Sequence, residues 1–214
     1  MKQTSLEVIE ALYTAYPRLT AISADITAAA EAIITCYRQG GKLLTCGNGG
    51  SAADAGHIVG ELMKGFLLRR PVPETIRTIL RESDPQNGDY YADHLQEALP
   101  SISLVEHSAL ISAFSNDVAA DMVFAQQVYG YGKAGDVLIG ISTSGNSANV
   151  AHAIRVARAL KLRTIGLTSE YGGIIKDICD ISICVPATEI YAVQELHLPV
   201  YHALCATVEH DFFG

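Results

Sequence analysis

The chain repeats one arrangement: a short apolar run, a loop rich in glycine and serine, and a helical stretch. The apolar runs are residues 42–46, 136–141, 163–167 and 181–185. The first run leads into GNGGS and a helical stretch at 52–63, and the second leads into STSGNS and one at 148–160. Apolar runs without polar alternation, separated by helices, predict a parallel sheet with helices on both faces. Ligands of such sheets bind beyond the carboxyl ends of the strands, where both loops fall.

Composition narrows the class of protein. The chain has 214 residues, of which 49% are hydrophobic and 18% charged, as expected of one globular domain. The net charge of −8 disfavours a nucleic-acid partner, because phosphate backbones require clustered Lys and Arg. The five cysteines form no CxxC pair, so neither a disulfide framework nor a thiolate zinc site is indicated.

The sequence also predicts a cytoplasmic protein without a membrane partner. Glu7 and Glu10 lie where a signal peptide would need an apolar core. No apolar run approaches the roughly 20 residues of a membrane span.

We expect a single domain over residues 1–214. Residues 1–40 are predicted to be N-terminal helices. Residues 66–107 contain three prolines and the turn cluster DPQNGD, and are predicted to be an inserted arm with short helices at 74–81 and 90–99.

The loop after the second run indicates a phosphate site. Ser142, Thr143, Ser144 and Ser147 supply four hydroxyls within six residues, and Gly145 allows close approach of the backbone. A helix N-terminus adds unpaired amide groups and a partial positive charge, so an anion can bind without Lys or Arg. The alternative is simple N-capping, for which one hydroxyl suffices.

The loop after the first run, Asn48, Gly49, Gly50 and Ser51, is a weaker signal. It lacks the third glycine of a dinucleotide fingerprint and the GK[ST] ending of a P-loop, so nucleotide binding is disfavoured. A plain tight turn is the alternative.

Two helical stretches carry candidate metal ligands. His57 and Glu61 are four residues apart and therefore share one helix face, although a solvated pair has the same spacing. In the last helical stretch, Gln194 could act with His202, eight residues later, or with His197. Spacing does not choose between these histidines, and a buried, hydrogen-bonded histidine is the alternative for each.

GNGGS followed by His57 and Glu61, GISTSGNS, and VQELHLPVYH together resemble the motifs of the phosphoheptose isomerases, which have the SIS (sugar isomerase) fold. The resemblance implies a three-layer, flavodoxin-like α/β sandwich whose five-stranded parallel sheet has helices on both faces. It also implies a homotetramer with sites at subunit boundaries. The implied activity is the ketose–aldose interconversion of sedoheptulose 7-phosphate through an enediol.

The same resemblance implies roles for individual residues. Zinc, or another divalent metal, would bind His57, Glu61, Gln194 and His202, and Glu61 and His202 would be the acid/base pair. The implied substrate contacts are Asn48, Gly49, Gly50, Ser51, Glu61, Asn116, Asp117 and Gln194, with the phosphate at Ser142, Thr143, Ser144 and Ser147.

Three departures from the family pattern bear on the sugar. Gly65 stands where a basic residue is common, Tyr171 replaces an acidic residue, and the arm is longer.

A non-catalytic SIS protein of the type that associates with the replication initiator is the competing hypothesis. Those relatives lack the last histidine, so His202 favours the enzyme. A sugar-phosphate sensor is disfavoured, because residues 1–40 are neither basic nor long enough for a helix-turn-helix. The first and last helical stretches are apolar around their circumference, which indicates a homo-oligomer.

Overall fold

The computed structural model describes all 214 residues. The strands are β1 (Leu43–Gly47), β2 (Ser101–Ser103), β3 (Val137–Ile141), β4 (Arg163–Thr168) and β5 (Ile181–Cys184). The helices are α1 (Gln3–Ala15), α2 (Ser23–Arg38), α3 (Gly50–Met63), α4 (Glu74–Ser83), α5 (Gly88–His94), α6 (Ser108–Phe114), α7 (Val123–Tyr131), α8 (Ala148–Ala159), α9 (Gly173–Ile178) and α10 (Ile190–Phe213). A 3-10 helix, Pro17–Ile22, joins α1 to α2. A π-helical turn, Ser115–Ala119, follows α6.

The five strands form one parallel sheet in the order β2-β1-β3-β4-β5, which confirms the predicted five-stranded parallel sheet. From β1 the chain adds β2 on one side and then β3 on the other, so the order of strands reverses between β1 and β3. Folds of this kind bind ligands at this switch point. Gly47 at the end of β1 pairs with Ile141 at the end of β3. The two glycine and serine loops therefore begin side by side.

Helices cover both faces of the sheet, as predicted. Alternate strand residues point to opposite faces, so Val137 and Ile139 join one apolar cluster and Leu138 joins the other. The first cluster contains α1, α2, α3 and α10, and the second contains α7, α8 and α9. Because α3 and α10 share a layer, the helices with candidate metal ligands lie against each other.

The arm, residues 66–107, is a helical hairpin that returns to the sheet. Helices α4 and α5 pack mainly on each other, and α4 has no buried residue. Helix α5 ends at His94, short of the expected 99, because Leu95 is extended and Gln96 bridges to Pro71. The chain then forms β2, a strand that the sequence reading missed because it has three residues, two of them serine.

A buried ion pair fastens the start of the arm to α10. Arg70 and Glu209 are both fully buried, and the Arg70 Nε atom lies 2.8 Å from the Glu209 carboxylate. The same carboxylate accepts hydrogen bonds from the amides of Phe66 and Leu67 at 2.8 and 2.7 Å. Arg70 also donates to the carbonyl of Leu62 in α3 at 2.8 Å, so the network joins three segments.

The stretch Pro17–Arg38 is long and apolar enough to cross a membrane by length and composition. The expectation that no run approaches that length is therefore wrong for this stretch. Its apolar side includes Ile26, Ala29 and Ile33, which belong to the core cluster. A helix rich in alanine and isoleucine that packs in a protein core has the same length and composition as a membrane span.

Candidate active site

The two loops at the switch point form one surface. Asn48 of the first loop and Asn149 at the start of α8 exchange two side-chain hydrogen bonds, each 2.9 Å long. Asn48, Gly49 and Gly50 are exposed at this edge, whereas Ser51 is buried. The first loop is therefore attached to the N-terminus of α8, beside the predicted phosphate site.

Two hydroxyls of the second loop, those of Ser142 and Ser147, bond to each other and do not cap the helix. The Ser142 and Ser147 Oγ atoms are 2.9 Å apart, and Ser147, at the N-cap position of α8, makes no capping hydrogen bond. In the first turn of α8, the Asn149 side chain accepts a hydrogen bond from the Val150 amide at 3.0 Å. Ser142 is buried, Thr143 half-buried and Ser144 exposed, so the hydroxyls line the loop from its floor to its rim. The first amide groups of α8 lack intrahelical partners, which suits an anion.

The second loop is braced from behind by the segment after β4. Gly145 has a φ of +67°, and a Cβ there would overlap the carbonyl of Gly172. The Gly145 carbonyl accepts a hydrogen bond from the Ile175 amide at 3.0 Å, and the Asn146 side chain accepts one from the Ile174 amide at 3.1 Å. The conformation of the loop is thus fixed before any ligand binds.

Three of the four expected metal ligands lie together on α3 and α10. His57 Nε2 is 3.1 Å from Glu61 Oε1 and 3.5 Å from His202 Nε2. Lys64 Nζ lies 2.8 Å from the other Glu61 oxygen. These contacts are pairwise, and no three His, Cys, Asp or Glu side chains form a complete metal-holding group.

Gln194 lies at the first loop, against Gly50, where a Cβ would overlap its carboxamide nitrogen. Eight residues of helix separate it from His202, a rise of about 12 Å. Gln194 makes no hydrogen bond to His57, Glu61 or His202. It therefore lies at the first loop and outside the cluster of His57, Glu61 and His202.

The position of His197 differs from that of His202. His197 is fully buried, and its Nε2–H donates to the carbonyl of Thr168 at 3.3 Å. Burial lowers the pKa of His197 to about 4. His202, in contrast, packs its ring against His57 at a centroid distance of 4.9 Å.

The pKa shifts favour an ionised carboxylate beside a neutral imidazole. Burial opposes ionisation of Glu61, but the hydrogen bond and charge of Lys64, with the nearby His57, outweigh it and leave the pKa of Glu61 below its usual value. Burial, followed by the charge of His57, lowers the pKa of His202 despite the nearby Glu61. One group can therefore accept a proton while the other is uncharged at neutral pH.

The structure does not connect Asn116 and Asp117 to the loops. Both are exposed in the π-helical turn after α6, where the Asn116 side chain donates to the Asp117 carboxylate at 2.8 Å. Neither side chain makes a hydrogen bond to either loop.

The sequence reading missed two residues next to the histidines. The Tyr201 hydroxyl lies 3.1 Å from His57 Nδ1 and donates to Asp54 Oδ1 at 3.2 Å. Burial, with the nearby charge of Asp54, raises the pKa of Tyr201, while burial also raises the pKa of Asp54. Asp54 precedes His57 by three residues, a helical spacing that could have suggested a shared face.

Comparison with known proteins yields one family. The sequence matches the SIS domain family over residues 11–92 and 91–169. It is 39% identical over 188 residues to the phosphoheptose isomerase of Roseiflexus sp. (strain RS-1), which covers 88% of this chain and 82% of the relative. Identity to the phosphoheptose isomerase of Pelobacter propionicus is 36% over 212 residues, 99% of this chain and 97% of the relative.

A solved structure agrees with these sequence relatives. The phosphoheptose isomerase of Neisseria gonorrhoeae superposes with a TM-score of 0.72 at 31% identity, covering 96% of this chain and 93% of that one. With its parallel sheet, paired loops and matching relatives, the chain belongs to the phosphoheptose isomerase family of SIS-domain proteins.

Proposed function

We propose that this isomerase interconverts sedoheptulose 7-phosphate and an aldose heptose 7-phosphate. The observation that carries the proposal is the second loop, whose serine hydroxyls line the N-terminus of α8 at the switch point without capping it. The Asn48–Asn149 bonds join this loop to the first loop, from which α3 carries His57 and Glu61. A phosphate held at the second loop would direct its sugar toward these side chains.

The chemistry needs a proton acceptor and a group that stabilises the developing oxyanion. Isomerisation removes a proton from the carbon next to the carbonyl, forms an enediol, and returns the proton to the neighbouring carbon. Glu61 is the proposed base, because its environment keeps it ionised. His202, neutral and in contact with His57, is the proposed partner that moves the oxygen-bound proton.

We also propose that His57, Glu61 and His202 bind zinc; Gln194, the fourth ligand that the resemblance implies, lies against Gly50 at the first loop and outside this cluster. Zinc ligands at about 2.0–2.2 Å in a tetrahedral site would be about 3.3 to 3.6 Å from one another. The observed His57–Glu61 and His57–His202 spacings of 3.1 and 3.5 Å are close to that range. Zinc would polarise a substrate oxygen when bound. A Glu61 oxygen held by metal could not also accept a proton, so base and ligand roles would need different oxygens or different times.

The proposed assembly is a cytoplasmic homotetramer. A groove of about 300 Å³ between α1, the arm and α10 is lined mainly by apolar residues and includes His202. Leu67 and Leu198 in this groove are 60% and 41% exposed, which fits a surface covered by another subunit. Light scattering measures the subunit number.

The test is conversion of sedoheptulose 7-phosphate by purified protein supplied with zinc. Glu61→Gln and His202→Gln should each lower kcat by about 100-fold or more, the usual contribution of a general acid or base. The exposed ion-pair variant Arg77→Met in the arm should keep wild-type activity. Wild-type rates in both site variants would exclude this mechanism. Absence of turnover in the wild type would favour the non-catalytic hypothesis, which no relative here supports.

A further inference from the structure

His57 uses both of its ring nitrogens. Nε2 faces Glu61 and His202, and Nδ1 lies 3.1 Å from the hydroxyl of Tyr201. Tyr201 is 2% exposed, and its ring lies edge-on to both imidazoles, with centroid distances of 5.4 Å to His57 and 5.0 Å to His202. The position of its hydroxyl is therefore fixed by packing.

The direction of these hydrogen bonds follows from the number of protons. The Tyr201 hydroxyl has one hydrogen, which it donates to Asp54 Oδ1 at 3.2 Å. At its contact with His57 the hydroxyl oxygen must therefore accept, so Nδ1 carries the proton. In a neutral imidazole this leaves Nε2 with its lone pair exposed.

That lone pair faces the ionised Glu61 carboxylate, which can only accept hydrogen bonds. The Glu61 carboxylate is 3.1 Å away, and His202 Nε2 is 3.5 Å away. Acceptors this close repel unless a proton or a cation lies between them. The hydrogen bonds at Nδ1 therefore leave Nε2 of His57 free to bind a cation.

We propose that Tyr201 and Asp54 are positioning residues that hold His57 in its Nδ1–H tautomer and thereby raise the affinity of the His57, Glu61 and His202 cluster for a divalent cation. The proposal rests on the proposed metal site. Partners of this kind, which fix the tautomer of a ligating histidine, typically contribute 10- to 100-fold in metal affinity.

The first test is zinc affinity, measured by competition with a chromophoric chelator. Tyr201→Phe should weaken zinc binding by about 10-fold or more. The control is Tyr37→Phe, which removes a buried hydroxyl bonded to Ser101 at 2.7 Å and should leave zinc affinity unchanged. Equal zinc affinity in Tyr201→Phe and the wild type would overturn the proposal, as would an equal loss in both tyrosine variants.

The second test asks whether Asp54 acts through Tyr201. Asp54→Asn alone should weaken zinc binding, but it should add little in the Tyr201→Phe background, because the group that transmits its effect is gone. Additive losses in the double variant would show that the two residues act separately, which contradicts the proposal that Asp54 acts through Tyr201.

A third measurement separates this proposal from the proposed metal site. The ¹⁵N shifts of His57 in the metal-free protein report its tautomer, which should be Nδ1–H in the wild type and mixed in Tyr201→Phe. If the wild type bound no zinc, the proposed metal site would be wrong, and the tautomer would still test whether Tyr201 and Asp54 orient His57. An Nε2–H tautomer in the wild type would overturn the proposal.

Discussion

At the residue scale, Ser147 separates two interpretations of the second loop. It occupies the N-cap position of α8, yet its hydroxyl bonds to Ser142 and not to an amide of the helix. A capping serine would stabilise the helix through an amide, and Ser147 makes no such bond. The sequence predicted an excess of hydroxyls here but could not show their orientation, which depends on the bracing of Gly145 by α9.

Replacing Ser147 tests that distinction. Ser147→Ala should raise KM for the sugar phosphate by about 10-fold or more with a smaller change in kcat, because a charged hydrogen bond present in both ground and transition states is lost. Thermal unfolding should show less than the 0.5–2 kcal/mol loss typical of a removed cap. Ser182→Ala, which removes a hydroxyl on the edge strand β5, is the control. A large stability loss with an unchanged KM would support capping.

The neighbours of the histidines show where residue-level prediction stops. His57 and Glu61 could be paired from their spacing, because helix geometry is local. Tyr201 could not be identified, because a tyrosine within an apolar helix has the pattern of a core residue. Its role depends on the contact between α3 and α10, which no local pattern encodes.

At the scale of elements, the arm is fastened to α10 by its first residues, 66–70, whereas α4 has no buried residue. The exposed ion pairs of α4 and α5, such as Arg77–Asp93 at 2.7 Å, are worth little in water. The buried Arg70–Glu209 pair differs, because its carboxylate also accepts from three backbone amides, those of Phe66, Leu67 and Leu68. The base of the arm is therefore part of the α10 packing.

Breaking this network should lower the free energy of unfolding, and by more when Glu209 is replaced than when Arg70 is replaced. Glu209→Leu leaves a buried guanidinium without its counter-ion and three amides without an acceptor, so the free energy of unfolding should fall by about 3–5 kcal/mol. Arg70→Met should cost less, because Glu209 keeps its backbone donors. Arg77→Met, in an exposed pair, should cost under about 1 kcal/mol. Urea denaturation gives all three values, and equal losses for Glu209→Leu and Arg77→Met would contradict this account.

At the scale of the whole molecule, the parallel sheet was predictable and the strand order from residues alone was not. Four strands can be predicted from the sequence, because each is an apolar run between helices. The edge strand β2 does not, because it is short, contains two serines, and is specified by pairing with β1 after the long arm. Five strands were expected only through the family resemblance.

The pH dependence of global stability should depend on His197. Its Nε2–H donates to Thr168, but its Nδ1 is buried without a partner, so protonation would place a charge and an unpaired N–H in the core. The folded pKa of about 4 lies below the ordinary value of 6.5. The unfolded chain therefore binds the proton first, and the contribution to stability is complete above pH 6.5 and is lost as the pH falls toward 4.

The expected loss over this range is on the order of 3 kcal/mol, from about 1.4 kcal/mol for each unit of pKa. His197→Gln, which can keep the donor to Thr168, should show a smaller fall in the free energy of unfolding between pH 7 and 4.5 than the wild type. Carboxylates titrate equally in both proteins, so the difference between their pH profiles isolates the imidazole. His94→Gln on the exposed helix α5 is the control and should follow the wild type. Parallel profiles for His197→Gln and the wild type would show that the buried imidazole does not drive acid unfolding.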